Sequence, residues 1–110
     1  INLRVGDFSQ AKNDLNDCLF VTGGKIKNEP DLTYRKSGCA SLDMAYVAAG
    51  RYDGYFQHNL NLWDIAAGIV LIKEAGGILN EVDLSIIKNI KIIASSTDIN
   101  SKLLEKLSNF

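Results

Sequence analysis

Residues 62–68 of this chain read Leu-Trp-Asp-Ile-Ala-Ala-Gly, and residues 74–77 read Glu-Ala-Gly-Gly. Asp64 falls at the predicted start of a helix, where unpaired amide groups and the helix dipole favour an anion. The two alanines and the glycine that follow carry almost no side-chain bulk, so another backbone can approach closely. From these residues alone, Asp64 is either a helix cap or a functional carboxylate. Tight helix packing explains the small residues as well as a binding site does.

The composition predicts one modest domain and excludes two classes of partner. The chain has 110 residues, of which 46% are hydrophobic and 23% charged, enough for a single small core. Its net charge of −1 gives no basic field to attract nucleic acid or an anionic membrane. Apolar runs such as Ile69-Val70-Leu71-Ile72 are too short to cross a bilayer. Because the chain begins at Ile1 and not at Met, we expect an excised fragment.

The cysteine and histidine content predicts no zinc site within the chain. Cys18 and Cys39 are the only cysteines and form no CxxC pair, and His58 is the only histidine. We therefore expect two reduced, partly buried thiols in a cytoplasmic protein.

Strand and helix signals alternate along the whole chain. An apolar run closed by two glycines predicts a buried strand at residues 18–22. Residues 90–94 are a strong further strand candidate, and residues 2–5, 33–36, 54–57 and 78–80 are short ones. Helical spacing predicts helices from about Cys39 to Ala49, from about Trp63 to Ala75, and after Thr97 or Asp98. This order predicts a single α/β domain over residues 1–110, a layered sandwich with a mixed β-sheet flanked by helices.

Two of the helices have a predicted buried stripe. In the first, the stripe consists of Leu42, Ala45, Tyr46 and Ala49, with Ser37 as a start signal and Gly50 as a left-handed terminator. In the last, it consists of Ile99, Leu103, Leu104 and Leu107.

The central segment is similar to a known family. Residues 35–51 read Arg-Lys-Ser-Gly-Cys-Ala-Ser-Leu-Asp-Met-Ala-Tyr-Val-Ala-Ala-Gly-Arg and continue through Tyr-Asp-Gly-Tyr-Phe to Trp63 and Asp64. This segment resembles the C-terminal signature of the inositol monophosphatase family. Residues 3–5 and 18–23 resemble the strand pair that opens the family's C-terminal half. The resemblance implies the C-terminal domain of a sugar-phosphatase-like fold, without the N-terminal catalytic half.

The resemblance also implies roles for four residues. Asp64 corresponds to a catalytic magnesium ligand that also lies close to substrate hydroxyls. Gly38 and Ala40 match positions whose backbone lines the substrate pocket. Gln57 stands where the family usually has a Glu that binds a substrate hydroxyl. Because Gln also donates hydrogen bonds and carries no charge, the resemblance does not fix the identity of the substrate.

The implied activity is Mg²⁺-dependent hydrolysis of a small phosphate monoester by metal-activated water. Inositol 1-phosphate is the first candidate, and fructose 1,6-bisphosphate, histidinol phosphate and a phosphoadenosine nucleotide are alternatives. The family takes most of its metal ligands from an upstream Glu and an Asp-Pro-x-Asp-Gly-Thr motif, and this sequence does not contain that motif. Magnesium prefers six oxygen ligands, so we expect the 110-residue chain to be inactive by itself.

The resemblance implies partners as well: the N-terminal half of the same enzyme and a second copy in a homodimer. Bacterial proteins that resemble this chain also act in transcription antitermination. A non-catalytic protein-interaction module is therefore the alternative function, with the transcription machinery as partner. No membrane partner is expected.

Three further residues have structural interpretations. We predict that Trp63 is a packing residue that positions Asp64 and is not a substrate platform. Asp43 is predicted to be a cap or an ion-pair partner. His58 is predicted to be an exposed loop residue and not a catalytic base.

Overall fold

A computed structural model describes residues 14–24, 26 and 29–110. After a 3₁₀ turn at Leu15–Asp17, the elements are β1 (Phe20–Gly23), β2 (Tyr34–Ser37), α1 (Ala40–Ala48), β3 (Gly54–Leu60), α2 (Leu62–Glu74), β4 (Ile78–Leu79), β5 (Ile90–Ser95) and α3 (Thr97–Lys106). Each predicted element is therefore present, apart from the strand predicted at residues 2–5, which lies outside the described residues.

The five strands form one mixed sheet in the order β2-β1-β3-β5-β4. Strand β1 runs parallel to both β2 and β3, whereas β5 runs antiparallel to β3 and β4. The predicted α/β class with a mixed, helix-flanked sheet is confirmed. None of the helices in the described part of the chain has the length and apolar content that spanning a bilayer requires.

Each face of the sheet has its own apolar core, because successive strand residues point to opposite faces. On one face, Val21 and Tyr55 pack with α1 and α2 residues, among them Met44, Val47, Ile65, Ile69 and Ile72. On the other face, Phe20, Phe56 and Ile93 pack with α3 residues Ile99 and Leu103. The described part of the chain is thus a three-layer sandwich with two helices on one side and one on the other.

The buried face of α1 differs from the prediction. The structure buries Asp43, Met44, Val47 and Ala48, whereas Leu42 is 45% exposed. The apolar residues of α1 lie on nearly all sides of the helix, so their spacing alone does not predict which face is buried. The contact with α2 determines the buried face, because Met44 packs over Gly68. A Cβ added at Gly68 would lie 2.6 Å from Met44 Sδ. Gly50, with φ of 79°, ends the helix as predicted.

Helix α2 has one buried stripe and one apolar face in solvent. Its buried residues are Ile65, Gly68, Ile69 and Ile72, at helical spacing. Trp63 is 64% exposed and Val70 58% exposed on the outer side. Within the described residues, most of the Trp63 side chain is thus in solvent, which the prediction of a packing residue did not anticipate. The helix ends at Glu74, and Gly76, whose φ of 83° suits glycine, follows the C-cap residue Ala75.

Three of the four apolar residues predicted for the last helix are buried, the third of them at its C-cap. Ile99, Leu103 and Leu107 are buried, but Leu104 is 41% exposed. The stripe that faces the sheet is narrower than the apolar pattern suggests.

Candidate functional site

The carboxyl ends of the three parallel strands meet at one edge of the sheet. Ser37, at the end of β2, pairs in register with Gly23 at the end of β1. Between β1 and β3, Phe20 pairs with Gly54 and Val21 with Tyr55, and the same offset places Gln57 beside Gly23. Ligands of open α/β sheets bind outside such carboxyl ends. Ser37, Gly23 and Gln57 therefore form a row at the edge where a ligand is expected.

Two helices begin at the same edge. Helix α1 starts at Ala40, directly after β2, and α2 starts at Leu62, directly after β3. Each presents the unpaired amide groups of its first turn there. Asp64 lies in the first turn of α2 and is half-buried. The N-cap residue of this helix is Asn61, three positions earlier. Among the described residues, the Asp64 carboxylate has no hydrogen-bond partner.

Tyr55 and Gln57 lie two positions apart on β3 and so share the face covered by α1 and α2. The Tyr55 hydroxyl donates a hydrogen bond of 2.6 Å to Oε1 of Gln57. Tyr55 is completely buried, and burial raises the pKa of its hydroxyl. Negative charge on Asp43 and Asp64 raises this pKa further. The buried Tyr55 hydroxyl thus interacts electrostatically with both acidic side chains.

Asp43 is a buried carboxylate and not the predicted cap or ion-pair partner. It is 2% exposed, and its Oδ2 atom has no hydrogen-bond partner among the described residues. Burial raises its pKa, and a hydrogen bond from Ser37 opposes that rise. A buried carboxylate with one unsatisfied oxygen is costly, and such groups are found preferentially at functional sites.

The turn from β2 into α1 contains both predicted pocket residues. Gly38 is exposed, and a Cβ added there would meet no atom within 4 Å. Its N–H donates to Ser37 Oγ at 2.6 Å. Ala40 is the first, half-buried residue of α1. Between them, Cys39 is exposed, and a hydrogen bond with the Ser41 hydroxyl lowers the pKa of its thiol.

The structure thus gathers all four predicted site residues at one edge, and it adds Asp43, Tyr55 and Gly23, which the sequence interpretation missed. The missed signal was the two-residue spacing of Tyr55 and Gln57, which places both on one sheet face. His58 lies in β3 on the opposite face, where its ring centroid is 4.7 Å from that of Phe110. The prediction of an exposed loop residue was wrong for His58.

The edge is an open surface and does not form a complete metal cage. Within the described residues, no group of three or more His, Cys, Asp or Glu side chains could hold a metal ion. A cavity of about 550 Å³ lies elsewhere, between α2 and residues 79–84. None of the predicted site residues lines that cavity.

Comparison with known proteins gives a consistent set of relatives. The model of the inositol monophosphatase family matches residues 6–109. An inositol-1-monophosphatase of Caulobacter vibrioides is 45% identical over 88% of this chain and 45% of its own length. A Nus factor SuhB of Haemophilus influenzae is 40% identical over 97% of this chain and 45% of its own length.

A solved structure shows the same fold. The extragenic suppressor protein suhB from Bartonella henselae matches with a TM-score of 0.74 and 37% identity, over 90% of this chain and 45% of that one. The chain therefore spans a little under half the length of the relatives it matches.

Proposed function

Because this chain belongs to the inositol monophosphatase family, we propose that it is the C-terminal half of a Mg²⁺-dependent phosphatase for small phosphate monoesters. Inositol 1-phosphate is the first substrate to test. The observation that carries the proposal is the half-buried carboxylate of Asp64, which lies beside Tyr55 and Gln57 at the carboxyl edge of a family-typical sheet.

Asp64 is the residue of this chain that would hold the metal ion. Its carboxylate supplies the hard oxygen that Mg²⁺ prefers, and it is engaged by no described residue. When bound, the metal would supply Lewis acidity that activates a water and stabilises the leaving oxygen. A single carboxylate is too few ligands, so the others come from the half of the enzyme that this chain does not contain. The isolated chain is accordingly inactive.

The other site residues bind substrate in this proposal. The backbone at Gly38 and Ala40 lines the pocket, where the open space around Gly38 leaves room for a ligand. Gln57 hydrogen-bonds a substrate oxygen, and Asp64 contacts substrate hydroxyls besides the metal. Histidinol phosphate, fructose 1,6-bisphosphate and a phosphoadenosine nucleotide remain alternative substrates.

The exposed apolar face of α2 supports the proposal that another half of the protein covers it. A helix that is apolar on nearly all sides is typically buried, yet Trp63 and Val70 are in solvent here. In our proposal this face meets the N-terminal half of the same enzyme. We propose separately, from the family resemblance, that the whole protein is a cytoplasmic homodimer.

Phosphate release by the intact protein tests the proposal. We expect hydrolysis of at least one ester of the panel named above with Mg²⁺ and none with EDTA. The purified 110-residue chain is the matched control and should release no phosphate. Equal turnover with Mg²⁺ and with EDTA, or Mg²⁺-dependent turnover by the 110-residue chain, would contradict the proposal.

A second candidate function is a protein-interaction module in transcription antitermination. It is favoured by relatives that carry the name Nus factor, one of which aligns with 97% of this chain. The net charge of −1 gives no support to direct nucleic-acid binding, so the partner would be a protein. An intact protein that is silent toward the whole ester panel and binds RNA polymerase would favour this candidate.

A further inference from the structure

The Gln57 side chain is held from two sides. From one side, the buried Tyr55 hydroxyl donates to Oε1 at 2.6 Å. From the other side, the amide lies against the bare backbone of β1, since a Cβ added at Gly23 would lie 2.7 Å from Oε1 and 3.5 Å from Nε2. Gly23 has no positive φ, so its backbone conformation does not require glycine. Glycine at this position instead leaves room for the Gln57 amide.

These contacts orient the amide. A buried phenol must donate its proton, and Oε1 accepts it. The nitrogen then points away from Tyr55 toward Gly24, the exposed residue that follows β1. Among the described residues, Nε2 has no hydrogen-bond partner. The edge of the sheet therefore presents an uncharged N–H₂ donor at this position.

We infer that Tyr55 is a positioning residue that fixes the Gln57 amide with Nε2 toward the ligand edge, so that the site favours a phosphate monoester with an anionic oxygen there, such as a carboxylate, over one with a hydroxyl. The inference rests on the proposed phosphatase function and deepens it. A Glu at this position would repel such an anionic oxygen, whereas the amide donates to it.

The first test compares two esters that differ in one group. In glycerol 2-phosphate a hydroxymethyl stands where 2-phosphoglycerate has a carboxylate. The quantity measured is the ratio of kcat/KM for 2-phosphoglycerate to kcat/KM for glycerol 2-phosphate, using the intact protein. We expect Gln57→Glu to lower this ratio roughly tenfold or more, because like charges are brought together. An unchanged ratio would overturn the inference.

A double-mutant cycle separates orientation from a merely structural role of Tyr55. Tyr55→Phe keeps the ring but frees the amide to flip, and it should lower the ratio about fivefold, the worth of one hydrogen bond. In the Gln57→Glu background it should change the ratio little, because the two oxygens of a carboxylate are equivalent. Equal effects in both backgrounds would overturn the inference.

Two further variants sharpen the test. Gly23→Ala pushes the amide away without touching the hydroxyl, so it should repeat the Tyr55→Phe effect. Tyr52→Phe is the matched control, since Tyr52 lies before β3 and packs on the Tyr46 ring. It should leave the ratio unchanged, and a fall equal to that of Tyr55→Phe would contradict a specific role for Tyr55.

Hydrogen exchange of the Gln57 side-chain amide tests its orientation without any measurement of phosphatase activity. In the ¹⁵N-labelled intact protein, the side-chain NH₂ signals of Gln57 are assigned by their absence in Gln57→Glu. Both protons should exchange rapidly with solvent, as expected for a nitrogen that faces the edge. One protected proton, whose protection is lost in Tyr55→Phe, would show the reversed amide and overturn the inference. An absence of phosphatase activity would instead contradict the proposed function.

Discussion

The two faces of the sheet differ in chemistry although the same strand supplies both. On the α3 side, Phe56 of β3 makes edge contacts with the rings of Phe20 and Phe110, at centroid distances of 6.5 and 5.2 Å. On the α1–α2 side, the neighbouring Tyr55 and Gln57 form a buried hydrogen bond beside two carboxylates. Residues one position apart thus serve different purposes. The aromatic face on the α3 side stabilises the fold, whereas the α1–α2 face has, besides its own apolar core, polar groups that stability alone does not require.

The largest effect on stability should come from the aromatic face. Phe56→Ala removes a fully buried ring and leaves a cavity, so we expect a loss of about 3–5 kcal/mol in the free energy of unfolding. Urea unfolding of the intact protein measures it. Tyr55→Phe, which keeps its ring, should cost about 1 kcal/mol. Similar losses for the two variants would contradict the division of roles between the faces.

A medium effect is expected where α1 crosses α2. Gly68→Ala places a Cβ 2.6 Å from Met44 Sδ and 2.8 Å from Met44 Cβ, which forces the helices apart. The free energy of unfolding should fall by about 1–2 kcal/mol, despite the better helix propensity of Ala. Gly38→Ala is the control, because its added Cβ meets no atom within 4 Å. A stable Gly68→Ala protein would show that this contact does not hold the two helices together.

A smaller change in the free energy of unfolding, this time a gain, is expected when the buried carboxylate of Asp43 is replaced. Burial raises the pKa of Asp43, so the folded state holds its proton more tightly than the unfolded state does. Its stabilising contribution is complete below the unfolded pKa and is lost as the pH rises through the folded pKa. Asp43→Asn should therefore gain about 1 kcal/mol at pH 7 and little at pH 3. Thermal unfolding at both pH values, without metal, checks this, and a loss at pH 7 would contradict it.

The elements of this fold could be predicted from local signals. Gly50 and Gly76 both adopt the left-handed conformation that ends a helix, and both follow a run at helical spacing. Strands β1 and β5 are mostly buried, apolar runs, whereas the edge strand β2 is mostly polar and exposed. These signals act within a few residues, so no tertiary information was needed to predict a mixed, helix-flanked sheet.

The faces and the site network could not be predicted in the same way. Leu42 is as apolar as Met44, and only the bare surface of Gly68 on the other helix decides that Met44 turns inward. The burial of Asp43 follows from the same rotation of α1. The contact of Tyr55 and Gln57 with Gly23 depends on the register between β1 and β3, which residues 34 positions apart in sequence do not reveal.

We propose Asp64 as a metal ligand and not merely as a surface acid at a helix start. Phosphate release by the intact protein, with Mg²⁺ varied, should be measured for Asp64→Asn beside Asp98→Asn. Asp98 is the control because it occupies the first turn of α3, on the other face of the sheet, and is exposed. We expect a fall of at least about a hundredfold for Asp64→Asn, partly recovered at high Mg²⁺, and no fall for Asp98→Asn. Unchanged activity and unchanged Mg²⁺ dependence in Asp64→Asn would contradict the proposed metal role.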